Sequence, residues 1–199
     1  MVLDLKMTYK IEGNWKQGYA LDLHTESSLF LGTDEYGHNQ FQTKRTEIGE
    51  LVYKLKYQSD ISTLPALVNA IVGRIQDIEK FDYIIPVPPS NDSRKSQPVI
   101  QVATALGKHV DVEVLLDAVI KSKKTPELKS VTDTLEREKI LSDAFSVSSD
   151  YSLEDKNVLL IDDLYRSGAT LRAITGLLYN QSKVKNVFVV TLTKTRSNR

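Results

Sequence analysis

Two adjacent carboxylates, Asp162 and Asp163, are the residues of this sequence best suited to chemistry. They follow an apolar run, residues 158–161, and precede a short turn made of Ser167, Gly168, Ala169 and Thr170. A segment with helical spacing begins at that turn, so its first amides are unpaired and suited to binding a phosphate. The two hydroxyls can add hydrogen bonds, and the glycine lets the backbone approach an anion closely.

The acid pair is too negative to bind that phosphate itself. Carboxylates one turn away are better suited to accept hydrogen bonds from the hydroxyls of an attached sugar. The pattern therefore predicts a ligand that contains a ribose and a phosphate. The alternative is an exposed acidic turn followed by a helix that a hydroxyl caps, but capping alone does not require the two acids.

The elements that must position these residues alternate between strands and helices. Apolar runs predict strands at 83–87, 112–116, 144–147, 158–161 and 186–192. Helical spacing predicts helices at 46–57, 62–78, 99–108 and 169–180. This alternation predicts an α/β fold with a mostly parallel central sheet flanked by helices. Ligands of such sheets lie at the carboxyl ends of the strands, so we expect the site at the loops after Val87, Leu116 and Ile161.

The first part of the chain has a different character, because residues 9–41 are rich in aromatic and turn residues. Short strands are predicted at 19–24 and 28–31, with a turn at 34–39. We expect a small antiparallel ribbon here. The predicted organisation is a β-rich hood segment at residues 1–45 and an α/β core at residues 46–199.

The stretch from residue 158 to residue 171 closely resembles the phosphoribosyl-pyrophosphate motif of type I phosphoribosyltransferases. That motif has an apolar strand, two acids, two apolar residues and a Thr/Ser-Gly-x-Thr turn. The chain is most similar to the ComF-like proteins, which are linked to bacterial competence. Three further segments match those proteins in the same order. The first is Leu-Lys-Tyr at 55–57, and the second is the proline-rich stretch 85–90 with the later Arg94. The third is a threonine-proline loop that runs from Thr125 through Arg137 to Phe145.

The sequence departs from that family in several places. ComF-like proteins usually carry an N-terminal zinc-binding cysteine module, and this chain has no cysteine. Ile140 and Leu128 replace an asparagine and a glutamine of the threonine-proline loop. Arg166 stands where the family has a small residue or, in purine-salvage members, a catalytic acid. The resemblance therefore implies that a general base must come from elsewhere in the chain or from the substrate.

The resemblance implies a transferase of nucleotide metabolism that takes phosphoribosyl pyrophosphate together with Mg²⁺ and an unidentified acceptor. Asp162 and Asp163 would be the catalytic pair that holds the ribose hydroxyls, and the turn 167–170 would bind the 5-phosphate. Arg166 is either a solvent-facing charge or an added phosphate clamp. Two cationic loops would bind the pyrophosphate, one with Ser90, Arg94 and Lys95 and the other, a predicted lid, with Lys123, Lys124 and Arg137.

Composition excludes several other classes of protein. Lys+Arg and Asp+Glu number 26 each, so the net charge of zero does not predict a nucleic-acid or membrane partner. The absence of cysteine excludes a disulfide framework and a thiolate metal site. His24, His38 and His109 are dispersed without metal-ligand spacing, so no protein-bound metal is predicted. Residues 1–9 lack the apolar core of a signal peptide, and we expect a cytoplasmic protein.

A second interpretation is a binding module rather than an enzyme. ComF-like proteins are linked to DNA uptake, which does not obviously require transfer chemistry, so a sensor of phosphoribosyl pyrophosphate with a protein partner stays open. The aromatic residues of the hood segment, Trp15, Tyr19 and Phe30, are expected to be structural, although they could also stack on the base of an acceptor.

Overall fold

The computed structural model describes residues 8–89, 96–121 and 143–196. Within these ranges the strands are β1 (Tyr9–Lys10), β2 (Gln17–Leu23), β3 (Thr25–Thr33), β4 (Asn39–Arg45), β5 (Tyr83–Pro86), β6 (Val119–Lys121), β7 (Phe145–Val147), β8 (Asn157–Tyr165) and β9 (Asn186–Lys194). The α-helices are α1 (Glu47–Tyr53), α2 (Leu64–Val72), α3 (Pro98–Val110) and α4 (Ala169–Asn180). A π-helical turn, Lys54–Gln58, continues α1, and two 3₁₀ turns lie at Ile61–Thr63 and Ile78–Lys80.

The central sheet has the strand order β1-β2-β9-β8-β5. Strands β2, β9, β8 and β5 run parallel, and β1 is antiparallel at one edge. The predicted strand at 112–116 is reduced to a single parallel bridge between Val114 and Ile84 beyond β5. The α/β class with a mostly parallel central sheet and helices is confirmed.

Alternation along β8 shows why this sheet needs helices on both faces. Leu159 and Ile161 pack into a cluster that includes residues of α1, α2 and α3, whereas Val158 and Leu160 pack into a second cluster with residues of α4. Successive strand residues point to opposite faces. An apolar run without polar alternation is therefore buried on both sides, as expected for a parallel strand.

The predicted N-terminal ribbon needs a correction. Among the strands of residues 9–45, β3 and β4 form a separate antiparallel pair, whereas β2 lies in the central sheet beside β9, with Ala20 opposite Thr191. The physical reason is burial on both faces, because Ala20 and Leu21 belong to the two different core clusters. The division of the chain at residue 45 stays a prediction.

No helix among the described residues is long and apolar enough to cross a bilayer.

Two helices differ from the bounds that the sequence predicts. The helix expected at 62–78 ends at Val72, and the helix expected at 46–57 passes from α-helical to π-helical form at Lys54. That change of form positions a lysine of the candidate site.

Candidate active site

The acid pair lies within β8 rather than after it. The ladder with β9 continues through Asp162, opposite Thr191, to Tyr165, opposite Lys194. Because side chains alternate along a strand, Asp163 continues the row that faces α1, and Asp162 continues the row that faces α4. The two carboxylates therefore lie at the carboxyl edge of the parallel sheet, where ligands of such folds bind.

Lys56 forms an ion pair with Asp163, in which its ammonium donates to the Asp163 Oδ2 atom. The side chains of Lys56 and Asp163 are 22% and 13% exposed, so the pair is largely shielded from water. Lys56 lies in the π-helical turn, a type of distortion that is frequent at functional sites. The Ser96 hydroxyl fixes this turn by donating to the Leu55 carbonyl at 3.0 Å.

Lys56 is a candidate site residue that sequence reasoning did not assign. It stood in the segment at 55–57 that resembles a helix end of ComF-like proteins. Lys56 and Asp163 are 107 residues apart in the chain, so no local pattern could pair them. The resemblance was the only signal that could have found it.

Burial raises the pKa of Asp162 to about 7, and the neighbouring Asp163 charge adds to the effect. Two contacts act in the opposite direction, because the Asp163 N–H donates to Asp162 Oδ1 at 2.8 Å and Lys56 lies close by. A partly buried carboxyl beside a second carboxylate is costly to ionise. Ionising both carboxyls at once is therefore unfavourable, and hydrogen bonds from the hydroxyls of a ligand would reduce that cost.

We expect Asp162→Asn to stabilise the protein at about pH 8 and to leave its stability unchanged at about pH 4. The raised pKa means that the folded state keeps a proton that the unfolded chain has lost, so stability falls as pH rises from 3.8 to about 7. Asparagine has no proton to lose and keeps an oxygen for the Asp163 N–H. The gain in unfolding free energy is on the order of 1–3 kcal/mol, measured by urea unfolding across that pH range.

The control for this prediction is Asp163→Asn. It removes the partner of the Lys56 ammonium, so we expect lower stability at about pH 8. A gain from Asp162→Asn that is the same at every pH, or a gain from Asp163→Asn, would contradict this account of the pair.

The turn after β8 is built for close approach of the backbone. Gly168 has φ 74° and precedes the first residue of α4. A Cβ at this position would lie 2.6 Å from Cε2 of the Tyr165 ring, so only glycine fits. No side chain caps this helix. The hydroxyl-capped alternative is therefore not realised, and the first amides of α4 remain for a ligand.

A cavity of about 180 Å³ joins these parts. Its lining residues come from β8, the π-helical turn, the first turns of α3 and α4 and the stretch after β5. They are Asp162, Asp163, Lys56, Thr170, Val87, Pro88, Pro89, Gln97, Pro98, Val99 and Ile100. A second cavity of about 220 Å³ shares Val87–Pro89 and Ile100 and extends to Leu116 and Lys121. The stretch after Val87 thus lines both cavities, whereas the acid pair lines only the first and Leu116 only the second.

The remaining predicted residues divide into two groups. Arg166 and Ser167 are exposed, Gly168 is buried and Ala169 is partly buried, and all four flank Thr170 at the cavity. Outside the described residues lie Ser90, Arg94, Lys95, Lys123, Lys124 and Arg137. Their roles stay predictions. In the sequence the predicted lid connects β6 to β7, and these two strands pair antiparallel.

The aromatic residues of the hood segment differ in exposure. Trp15 is buried, and its ring N–H donates to the Ile11 carbonyl at 3.1 Å. Phe30 is 54% exposed and pairs with the equally exposed Phe41, with ring centroids 5.4 Å apart. Trp15 is therefore structural, as expected, whereas Phe30 remains accessible on the β3–β4 hairpin.

Across ranges 8–89, 96–121 and 143–196, no group of three or more His, Cys, Asp or Glu residues could hold a metal ion. An acid pair that a lysine already engages is a poor metal cage. These residues fit an ion that arrives on the phosphates of a ligand, because Mg²⁺ is usually bound by few carboxylates together with substrate phosphates and water.

No protein-family model matches the chain, and no curated protein matches it. Solved structures similar to the chain include several phosphoribosyltransferases. Adenine phosphoribosyltransferase from Thermoanaerobacter pseudethanolicus is 16% identical with a TM-score of 0.48, and the match covers 84% of this chain and 94% of that one. Orotate phosphoribosyltransferase from Aeropyrum pernix is 12% identical with a TM-score of 0.42, covering 87% and 77%. Hypoxanthine phosphoribosyltransferase from Trypanosoma cruzi is 15% identical with a TM-score of 0.41, covering 95% and 74%. With TM-scores below 0.5, the function of this chain has to be argued from its own residues.

Proposed function

We propose that this protein binds phosphoribosyl pyrophosphate with Mg²⁺ and transfers the phosphoribosyl group to an acceptor, releasing pyrophosphate. The observation that carries the proposal is one cavity at the carboxyl edge of a parallel sheet, lined by Asp162, Asp163 and the first turn of an uncapped helix. Acids for sugar hydroxyls and amides for a phosphate lie side by side. Few ligands other than a ribose phosphate need both.

In this proposal Asp162 and Asp163 accept hydrogen bonds from the ribose hydroxyls, and the turn 167–170 binds the 5-phosphate. The sugar carbon becomes cationic as its bond to pyrophosphate breaks, and the negative charge of the pair favours that state. Lys56 keeps one carboxylate oriented. Fixed geometry and electrostatics then supply most of the rate enhancement.

The pyrophosphate end of the substrate would extend along the second cavity. Ser90, Arg94 and Lys95, together with Lys123, Lys124 and Arg137 of the predicted lid, are the proposed cationic contacts. Mg²⁺ is part of the substrate in this scheme, since it pairs with the phosphates and neutralises charge on the leaving group.

A second candidate function is a sensor of the same ligand that acts through a protein partner, in the manner suggested by the ComF-like resemblance and its link to DNA uptake. The observation that favours it is the β3–β4 hairpin, which exposes five large apolar side chains, those of Leu29, Phe30, Leu31, Tyr36 and Phe41. Of these, Phe30 and Phe41 contact each other, and exposed apolar patches commonly mark interaction surfaces. Arg166 stands where purine-salvage members of the family have a catalytic acid, and this also favours a binding function over catalysis.

Release of pyrophosphate distinguishes the two functions. The protein is incubated with phosphoribosyl pyrophosphate, Mg²⁺ and a panel of purine and pyrimidine bases, and free pyrophosphate is measured. A transferase releases pyrophosphate at a rate that depends on one of the bases. A sensor binds the ligand and releases none with any of them, and that result would leave binding as the function.

A further inference from the structure

His24 lies at the same edge of the sheet as the acid pair. It directly follows β2, which runs parallel to β9, and β9 in turn runs parallel to β8. Lys194 fixes the lateral alignment, because it lies opposite Leu23 on one side and Tyr165 on the other. Two strand spacings, about 10 Å in total, separate the His24 backbone from β8, and the imidazole reaches into that interval.

A chain of hydrogen bonds assigns the tautomer of this imidazole. The Thr193 hydroxyl donates to the Asp163 carbonyl at 3.0 Å, and a carbonyl can only accept. The His24 Nδ1 atom lies 3.1 Å from the same Thr193 oxygen. Since a hydroxyl has one hydrogen, a Thr193 hydroxyl that donates to the carbonyl can only accept from the imidazole, and we infer that Nδ1 is the donor in this arrangement. In the neutral ring the proton therefore sits on Nδ1, and Nε2 keeps a free lone pair.

Burial and the surrounding cations favour the neutral form of the His24 ring. Burial lowers the pKa of His24, and the cations Arg45, Lys56 and Arg166 lower it further, whereas Asp163 acts in the opposite direction. These groups come from β4, the π-helical turn, the turn after β8 and β8 itself. An unprotonated histidine is the form that can accept a proton at neutral pH.

The backbone of His24 is held in place from two sides. Its N–H donates to the Lys194 carbonyl at 2.8 Å. Helix α1 packs against its carbonyl so tightly that a Cβ on Gly49 would lie 2.2 Å from that oxygen. The Thr46 hydroxyl adds a bond of 2.5 Å to the Leu23 carbonyl. A residue held this firmly positions its side chain with little freedom, as catalytic groups require.

We propose that His24 is the general base of the site, with Nε2 taking the proton of the acceptor as the acceptor attacks the sugar. The acceptor atom forms a bond to the anomeric carbon, the bond from that carbon to the pyrophosphate oxygen breaks, and pyrophosphate leaves with the electron pair. Nε2 gains the proton, and the nearby Asp163 charge favours the imidazolium. This inference rests on the proposed function and supplies the base that the turn with Arg166 lacks.

The test compares the wild-type protein with His24→Asn and Thr193→Val. Asparagine places an N–H close to the position of Nδ1, so it keeps the contact with Thr193 but has no Nε2. Thr193→Val leaves the His24 imidazole in place and removes the hydroxyl that accepts from Nδ1. Three quantities are measured for each protein: calorimetric affinity for phosphoribosyl pyrophosphate with Mg²⁺, pyrophosphate release with water and with the base panel, and the imidazole ¹⁵N resonances across pH.

We expect His24→Asn to bind phosphoribosyl pyrophosphate within about threefold of wild type and to release pyrophosphate about 100-fold or more slowly. Thr193→Val should lower the rate less and shift proton occupancy between the two ring nitrogens. The wild-type spectrum should show a neutral ring protonated at Nδ1 at about pH 7.

The inference is overturned by a wild-type release rate in His24→Asn, by a ring protonated at Nε2, or by a wild-type protein that binds the ligand but releases no pyrophosphate. In each of these cases binding of phosphoribosyl pyrophosphate still stands. A wild-type protein that does not bind the ligand at all would instead remove the proposed function, and the inference with it.

Discussion

Replacing both Asp162 and Asp163 with asparagine is expected to abolish binding of phosphoribosyl pyrophosphate, with affinity falling by about 100-fold or more. The two carboxylates are the only acids among the described lining residues of the cavity that contains the α4 turn. Charge-assisted hydrogen bonds to sugar hydroxyls are about twice as strong as neutral ones. Asparagine keeps the shape of each side chain but loses the charge and presents an N–H where an acceptor is needed.

The fold should survive this double change. Asp162→Asn relieves a buried charge, whereas Asp163→Asn costs the ion pair with Lys56, so the two effects on stability partly cancel. Circular dichroism and the unfolding midpoint report on the fold, and calorimetry reports on binding.

The matched control is the double variant Asp111→Asn and Asp155→Asn. Both residues are exposed and have positive φ, 55° and 59°, a conformation that asparagine tolerates well. The control makes the same change in net charge at the opposite edge of the sheet, next to the starts of the parallel strands. We expect unchanged affinity for the control. Equal affinity of the site variant and the control would show that the acid pair does not bind the ligand.

Gly168→Ala is expected to weaken binding of phosphoribosyl pyrophosphate by about tenfold or more and to lower the unfolding free energy by about 1–3 kcal/mol. Alanine is strained at φ 74°, and its Cβ would lie 2.6 Å from the Tyr165 ring. That ring is buried, and its hydroxyl lies 3.4 Å from the Glu12 carbonyl, so it cannot move away freely. The turn must shift instead, and the first amides of α4 shift with it.

Gly37→Ala separates the effect of backbone strain from that of the steric clash. Gly37 has φ 82°, and nothing lies within 4 Å of a Cβ added there, so this variant carries the backbone strain without the steric clash. We expect a loss of about 1 kcal/mol in stability and unchanged affinity. Calorimetry and thermal unfolding of both variants give the comparison, and an unchanged affinity in Gly168→Ala would remove the turn from the proposed phosphate site.

The parts of the site that lie close together in sequence could be predicted from sequence. Asp162, Asp163 and the turn 167–170 occupy nine consecutive residues between a strand and a helix, so their chemistry and their elements are readable together. The parallel sheet followed from the alternation of strands and helices, because crossover connections leave few other arrangements.

The parts that depend on distant pairing could not be predicted. Lys56 meets Asp163 across 107 residues, and His24 meets Thr193 across 169. The sequence predicts a ribbon from the strands at 19–24 and 28–31 because they are neighbours in the chain, whereas the long partner of β2 is β9 near the other end of the described residues. Nothing in the spacing of the three histidines singles out His24, and its proposed role is argued from the alignment of β2 with β9.

The central claim is that the cavity beside the acid pair binds phosphoribosyl pyrophosphate, and calorimetric titration of the wild-type protein tests it most directly. We predict saturable binding at about micromolar concentration that requires Mg²⁺, because the metal neutralises the pyrophosphate before it meets two carboxylates. Ribose 5-phosphate should bind more weakly, since it lacks the pyrophosphate. The absence of binding with and without Mg²⁺ would contradict the account and would leave the motif as scaffold for a protein partner.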